Sequence, residues 1–179
     1  MRTIVIISLF IVLCFFPVFA QEAGKLRAGL EIGYLYPHKG GFGSLRTMEL
    51  KYNFKKNMNI GLKAETTNFR KHKNYDADLL SFSITYDYYF HSNGRRFSPF
   101  IGAGIGYFFC KSYDEEFINF PWKFNNPTCF IRAGIEFWKF RVLFNYNLVR
   151  KPTDTYQINM NIDYVSLNFG FYIGGGKWK

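Results

Sequence analysis

Three histidines are the side chains of this sequence best suited to general acid–base chemistry, because imidazole titrates near neutral pH. His38, His72 and His91 all fall in segments that we predict to connect strands. No His-x-Ser pair occurs, and no two histidines have the spacing of metal ligands. We therefore assign no catalytic residue, no metal site and no cofactor, and we do not expect an enzyme.

A second chemical feature is a set of charged side chains at alternate positions of apolar–polar segments. Five are basic and five are acidic, namely Arg27, Glu31, Glu49, Lys51, Lys63, Glu65, Asp87, Arg132, Glu136 and Arg141. Charges removed from water are tolerated when they are paired and hydrogen-bonded. The equal numbers therefore predict an ion-pair network in a closed interior, whereas a water-filled pore would not need this balance.

Cysteine offers a further chemical possibility. Cys14 lies in an N-terminal apolar run, behind Leu13, which is too bulky for the position before a lipidated cysteine. Cys110 and Cys129 flank the longest predicted connection, and a disulfide between them would close it in an oxidising compartment. The alternative is two unpaired thiols, since the alternation points Cys110 inward and Cys129 outward.

The elements that position these side chains follow from the alternation itself. From Ser81 to Tyr88 every even position is bulky and apolar or aromatic, and the odd positions are Ser, Ser, Thr and Asp. A strand sends such alternate side chains to opposite faces. We predict eight strands, at 25–36, 45–54, 58–69, 79–90, 98–110, 128–138, 140–149 and about 161–173.

The face opposite the charges is uniformly apolar. It carries residues such as Leu30, Leu62, Phe82, Ile105 and Phe169, and none of the midsection positions that we assign to it is charged. Aromatic residues gather toward both ends of the strands, as in the interface girdles of membrane barrels. A soluble sandwich would need only one apolar face per sheet and would not explain aromatics at both strand ends.

The connections alternate in length. Those after even-numbered strands are short, whereas those at 38–44, 70–78, 111–127 and 150–160 are longer on average. Outer-membrane barrels combine short periplasmic turns with longer external loops. This asymmetry predicts an antiparallel up-and-down transmembrane β-barrel with a polar lumen filled by side chains and with both termini on the periplasmic side.

Two of the longer connections carry basic residues where lipid phosphates would lie. These residues are Arg70, Lys71, Lys73, Arg150 and Lys151. They predict contacts with outer-membrane lipid or lipopolysaccharide, with ordinary solvated loop charge as the alternative. The connection 111–127 instead has an acidic run followed by four aromatics, Phe117, Phe120, Trp122 and Phe124, so it either contacts an extracellular protein or folds back onto the membrane rim.

The N-terminus is typical of a secretory signal. Arg2 precedes an apolar run, and small-residue cleavage character at Ala20 predicts a signal peptide at 1–20 and one barrel domain at 21–179. The net charge of +10 could suggest nucleic acid, but the basic residues are scattered and the signal exports the chain. We expect a bacterial outer-membrane protein, monomeric and without a nucleic-acid partner.

Two stretches resemble the small eight-stranded outer-membrane barrels, the OmpA-like and OmpX-like family. The segment from Phe100 to Tyr107, with glycine at 102, 104 and 106, looks like the central strand of that family, and the segment from Leu167 to Ile173 looks like its closing strand. The glycine spacing does not fit a nucleotide-binding loop. One departure is the C-terminal end, where Lys179 follows the closing strand and many relatives finish on an aromatic residue.

The resemblance implies a broad set of roles. Members include membrane-integrity proteins, adhesins and defence proteins, and a few related barrels modify lipids. We expect a structural, envelope-integrity or loop-mediated, adhesion-like role without an open pore. The alternatives are an outer-membrane lipid-modifying enzyme and a secreted lipocalin-like binder of a small ligand, which would want an apolar lumen.

Overall fold

Eight β-strands make up the folded part of the chain. A computed structural model describes residues 22–38, 41–71, 75–90, 97–114, 122–149 and 163–175, so the predicted signal peptide lies outside the described residues. The strands are β1 (Lys25–Pro37), β2 (Phe42–Lys55), β3 (Met58–Lys71), β4 (Tyr75–Tyr89), β5 (Phe97–Asp114), β6 (Trp122–Phe137), β7 (Phe140–Val149) and β8 (Tyr164–Gly174). No helix within these ranges is long and apolar enough to cross a membrane.

The strands form one closed antiparallel barrel in chain order, with β8 pairing to β1. Followed from strand to strand, the register that starts at Arg27 returns to β1 at Pro37, ten residues further along. This stagger requires strands that tilt by about 35–45° against the barrel axis. The fold prediction of an eight-stranded up-and-down barrel is therefore confirmed.

Burial alternates residue by residue, as the sequence pattern predicts. In β1 the inward positions Arg27, Gly29 and Glu31 are buried, and the intervening Leu30 and Ile32 are 61% and 68% exposed. Among the described residues, more large apolar side chains are exposed than buried. The barrel is thus polar inside and apolar outside, the reverse of a soluble globular protein.

The two ends of the barrel differ. The end with the two-residue turns at 56–57 and 138–139, which we call the turn end, also holds both described termini, since the Glu22 amide donates to the Gly175 carbonyl at 2.6 Å. Trp138 begins its turn with a φ of 56°, in the left-handed region. We call the opposite end, with the longer connections, the loop end.

Several strands extend further toward the loop end than predicted. β2 begins at Phe42, β4 begins at Tyr75, β5 continues to Asp114 and β6 begins at Trp122. The prediction of one connection over 111–127 is therefore wrong, because 111–114 and 122–127 are paired strand residues. Strand pairing uses only backbone groups, so it continues beyond the point where side-chain alternation stops.

Candidate functional site in the barrel lumen

The lumen holds all ten charged side chains that the alternation assigns to it. Each is at most 4% exposed. Each also takes part in at least one ion pair. Eight of them form one connected set, which we call the eight-residue network: Arg27, Glu31, Glu49, Lys51, Asp87, Arg132, Glu136 and Arg141. Lys63 and Glu65 form a separate pair.

The centre of the eight-residue network consists of two carboxylates between three cations. Asp87 of β4 accepts hydrogen bonds from Lys51 Nζ at 2.5 Å, Arg132 Nε at 2.7 Å and Arg141 Nη2 at 3.0 Å. Glu49 of β2 accepts from Arg132 Nη2 at 2.7 Å and lies 3.3 Å from Lys51 Nζ. These side chains come from β2, β4, β6 and β7, so the ion pairs join walls that are not neighbours in the sheet.

Arg141 extends the network to the remaining carboxylates. Its guanidinium lies 3.9 Å from both Glu31 and Glu136, and 3.8 Å from the centre of the Phe100 ring. A planar guanidinium has five donors and can also stack on an aromatic ring, which suits it to such a crowded site. Arg141 therefore connects carboxylates from four different strands.

Two tyrosines complete the hydrogen bonding of the outer members. Arg27 donates to Glu136 at 2.9 Å, and the Tyr89 hydroxyl donates to the other oxygen of Glu136 at 2.7 Å. The Tyr172 hydroxyl lies 2.7 Å from Glu31 Oε1. Hydrogen bonds of this kind offset the free energy that is lost when a carboxylate leaves water.

The Lys63–Glu65 pair is built differently. Both residues come from β3, two positions apart, and Lys63 Nζ donates to Glu65 at 2.9 Å. The Tyr164 hydroxyl of β8 donates to the same carboxylate at 2.7 Å, and Lys63 Nζ lies 4.1 Å from the centre of the Phe130 ring. The group that connects this pair to β8 is thus a neutral hydroxyl and not a second charge.

The sequence analysis did not identify the aromatic rings that share the lumen with the charges. Tyr89, Phe100, Phe108, Phe130, Tyr164 and Tyr172 are all buried. Inward glycines give them room, since a methyl group added at Gly29 would overlap the Tyr172 ring and one added at Gly104 would overlap the Phe130 ring. The sequence positions of these rings could have revealed them, because each ring stands where the alternation requires a polar residue.

One concave region of about 1530 Å³ is lined mostly by apolar surface, including the outward-facing Leu30, Met48 and Ile105. Within the described residues, no group of three or more histidine, cysteine or carboxylate side chains could hold a metal ion. The geometry therefore directs attention to charge pairing in the lumen rather than to a ligand cavity.

The possible disulfide between Cys110 and Cys129 does not form in this structure, and the alternative of an unpaired thiol holds for Cys129. Cys129 is a free, exposed residue, and it pairs in register with Ile105. Cys110 pairs with Phe124, five positions further along the same two strands. Five residues of strand span about 16 Å, well beyond the reach of a disulfide.

The other predicted contact residues lie largely beyond the part of the chain that the structure describes. Lys73, Arg150 and Lys151 are outside it, as are residues 115–121 of the predicted interaction segment. The backbone of Arg70 and Lys71 is described and belongs to β3. The contacts predicted for all of these side chains stay predictions.

Comparison with known proteins gives matches to solved structures only. No family model and no curated protein matches the chain. Neisserial surface protein A is 12% identical with a TM-score of 0.68, over 84% of this chain and 97% of that one. The N-terminal β-barrel domain of OprF from Pseudomonas aeruginosa is 13% identical, with a TM-score of 0.54 over 86% and 100% of the two chains.

A third match is the outer membrane enzyme PagL, which is 17% identical with a TM-score of 0.55, over 82% of this chain and 98% of that one. At such identities the likeness is one of fold and carries no activity with it. The chain has the closed eight-stranded fold of the small outer-membrane β-barrels.

Proposed function

We propose that this protein is an integral barrel of the bacterial outer membrane with a closed lumen and no enzymatic activity. Its role is structural support of the envelope or contact through the loop end. In this proposal it acts as a monomer whose first partners are the surrounding lipids.

The observation that carries the proposal is the inverted distribution of polarity. Ten charged side chains are buried in the lumen, whereas the outward side chains at mid-strand, such as Leu62 and Phe169, are 62% and 50% exposed. Water would penalise so much exposed apolar surface, and hydrocarbon would not. Tyr34, Tyr36 and Phe137, toward the strand ends, match the aromatic belts at membrane interfaces.

A pair of matched substitutions tests the membrane setting. Phe169, the sixth residue of the eleven in β8, is 50% exposed, and Phe97, the first residue of β5, is 51% exposed. In a membrane, Phe169→Arg should destabilise the barrel by about 2–4 kcal/mol, and Phe97→Arg by about 0–1 kcal/mol. In water the two equally exposed positions should respond alike.

The measurement is the free energy of unfolding in urea for protein folded into phosphatidylcholine vesicles. The folded fraction is read from heat-modifiable gel migration. Membrane fractionation of the parent protein provides the companion observation. Equal effects of Phe169→Arg and Phe97→Arg, together with a parent protein that stays in the soluble fraction and migrates identically with and without boiling, would contradict the proposal.

The closed, ion-paired lumen supports a structural role. Charges that cross-link β1, β2, β4, β6 and β7 stiffen the barrel and take up the interior that a solute would need. An apolar ligand of the lipocalin kind would have to displace balanced ion pairs. Neither a transport role nor an interior ligand is therefore part of the proposal.

The loop end supports contact with other molecules. β5 has 18 residues and β6 has 16, and their pairing continues to Ser112 and Trp122, whereas β7 ends at Val149, which pairs with Thr128. The β5–β6 hairpin thus projects beyond the described end of β7. Projecting hairpins of a rigid barrel are suited to contacts at the cell surface.

Two measurements separate the possible roles. A strain without the protein should become more sensitive to detergent, and a barrel with residues 115–121 replaced by Asn-Gly should restore resistance if the role is structural. Restoration by the full-length chain alone would assign the role to the hairpin. Loss of an acyl chain from membrane lipids when the protein is expressed, read by mass spectrometry, would contradict the non-enzymatic proposal.

A further inference from the structure

One patch of the outer wall departs from the apolar pattern. Arg46 of β2 is an exposed, outward-facing cation at the fifth position of its strand. The register sets it opposite Ile32 on one side and Thr66 on the other. The sequence analysis did not place it on this face.

Polar side chains continue from Arg46 toward the loop end. Ser44, Thr66 and Asn68 face outward on the adjoining parts of β2 and β3. Asn68 donates a hydrogen bond to Asp78, its register partner on β4. We call Ser44, Arg46, Thr66 and Asn68 the polar patch.

The polar character does not extend to the described side chains of β5 and β7 at a similar height. On β5 and β7 the corresponding outward positions carry Ile105, Tyr107, Tyr146 and Leu148. The polar patch therefore occupies one sector of the barrel and does not belong to a ring that encircles it. A sector of this kind indicates a localised ligand, since a generally polar interface would be similar on all strands.

The position of Arg46 on the outer wall is electrostatically unfavourable for a cation. It lies four residues below the start of β2 at Phe42, which corresponds to about 10 Å along the axis of a tilted barrel. No described carboxylate pairs with it. An unpaired guanidinium below the interface destabilises a lipid-facing wall unless it reaches an anion or the headgroup layer.

We propose that the polar patch binds the phosphate group of an outer-leaflet lipid, with Arg46 as the anion-binding residue. The inference rests on the proposed membrane location. The guanidinium donates to phosphate oxygens, and the hydroxyls of Ser44 and Thr66 and the amide of Asn68 hydrogen-bond the polar atoms beside it. A specific lipid of the loop-end leaflet is then bound against β2 and β3.

The test measures lipid selectivity of the full chain folded into phosphatidylcholine vesicles that contain spin-labelled phosphatidic acid as a minor component. The parent should prefer phosphatidic acid over spin-labelled phosphatidylcholine. Arg46→Gln should reduce that preference about five-fold, as expected when one near-surface cation is lost. Arg46→Lys should retain most of it, and Thr66→Val should lower it to an intermediate value.

The matched control is Lys55→Gln, which removes an equally charged, exposed side chain of the same strand at the turn end. Unchanged selectivity in this variant, with the loss confined to Arg46→Gln and Thr66→Val, supports the site. Equal losses in Lys55→Gln and Arg46→Gln would reduce the effect to general charge attraction and overturn the proposal, as would no loss in Arg46→Gln. Heat-modifiable migration of every variant reports insertion separately, so failure of the barrel itself is distinguishable.

Discussion

The eight-residue network and the Lys63–Glu65 pair use the same chemistry in different architectures. The network joins non-adjacent strands through charge on both sides, as in Arg27 of β1 with Glu136 of β6. The pair takes both charges from β3 and reaches β8 through the Tyr164 hydroxyl alone. The network thus couples opposite walls, whereas the pair mainly neutralises itself.

This difference predicts unequal sensitivity to mutation. A buried charge that loses its partner destabilises strongly, because its desolvation is no longer offset. A self-contained pair can be removed as a unit without leaving such a charge. The network should therefore dominate barrel stability although both groups are equally buried.

Asp87→Ala should have the largest effect. It takes one carboxylate away from Lys51, Arg132 and Arg141 at once, and the expected loss is at the upper end of about 3–5 kcal/mol. The measurement is urea unfolding in phosphatidylcholine vesicles, read by gel migration. Ser83→Ala, a buried uncharged change on the same inward face of β4, is the control and should stay within about 1 kcal/mol.

Glu136→Ala and Glu31→Ala should follow, toward the lower end of about 3–5 kcal/mol, since each takes a carboxylate away from fewer cations than Asp87→Ala does. A double variant, Glu136→Ala with Arg27→Met, should recover part of the loss because both charges of the 2.9 Å pair are gone. The same urea titration of the parent, Glu136→Ala, Arg27→Met and the double variant provides the four free energies of the cycle. If Glu136→Ala and Glu31→Ala both unfold like the parent, the network does not couple the walls.

Gly29→Ala tests the packing that holds Tyr172 against the network. The added methyl would overlap the ring, so we expect a loss of about 1–3 kcal/mol in vesicle unfolding. In a Tyr172→Ala background the overlap disappears, and the same substitution should be neutral. An equal loss in both backgrounds would mean that the backbone at Gly29, and not the ring, sets the effect.

The sequence was sufficient for the number and order of the strands and for the inward face of the ten lumen charges. A two-residue period fixes side-chain direction, so Glu49 and Lys51 could be assigned inward without knowledge of their partners. The partners themselves depend on barrel stagger and side-chain reach. Nothing local in the sequence indicates that Arg141 of β7 contacts Asp87 of β4.

Other features were not predicted from the sequence, for different physical reasons. Tyr172 and Phe100 stand at polar-face positions, and an amphipathic or cationic neighbourhood accepts a ring that hydropathy alone would send outward. Several strands were predicted too short because backbone pairing continues past the residues whose side chains alternate, as at Ser112. Arg46 was overlooked because the outward face was traced through its apolar members.

The smallest effect should come from removing the Lys63–Glu65 pair as a unit. In Lys63→Met with Glu65→Gln, no buried charge is left alone, and the Gln carbonyl can still accept from Tyr164. We expect a change within about 1 kcal/mol in vesicle unfolding, against the much larger loss for Asp87→Ala. A loss comparable to that of Asp87→Ala would show that this pair also couples the walls. The distinction between the two groups would then fail, because stability would follow burial of charge and not the number of strands that each charge connects.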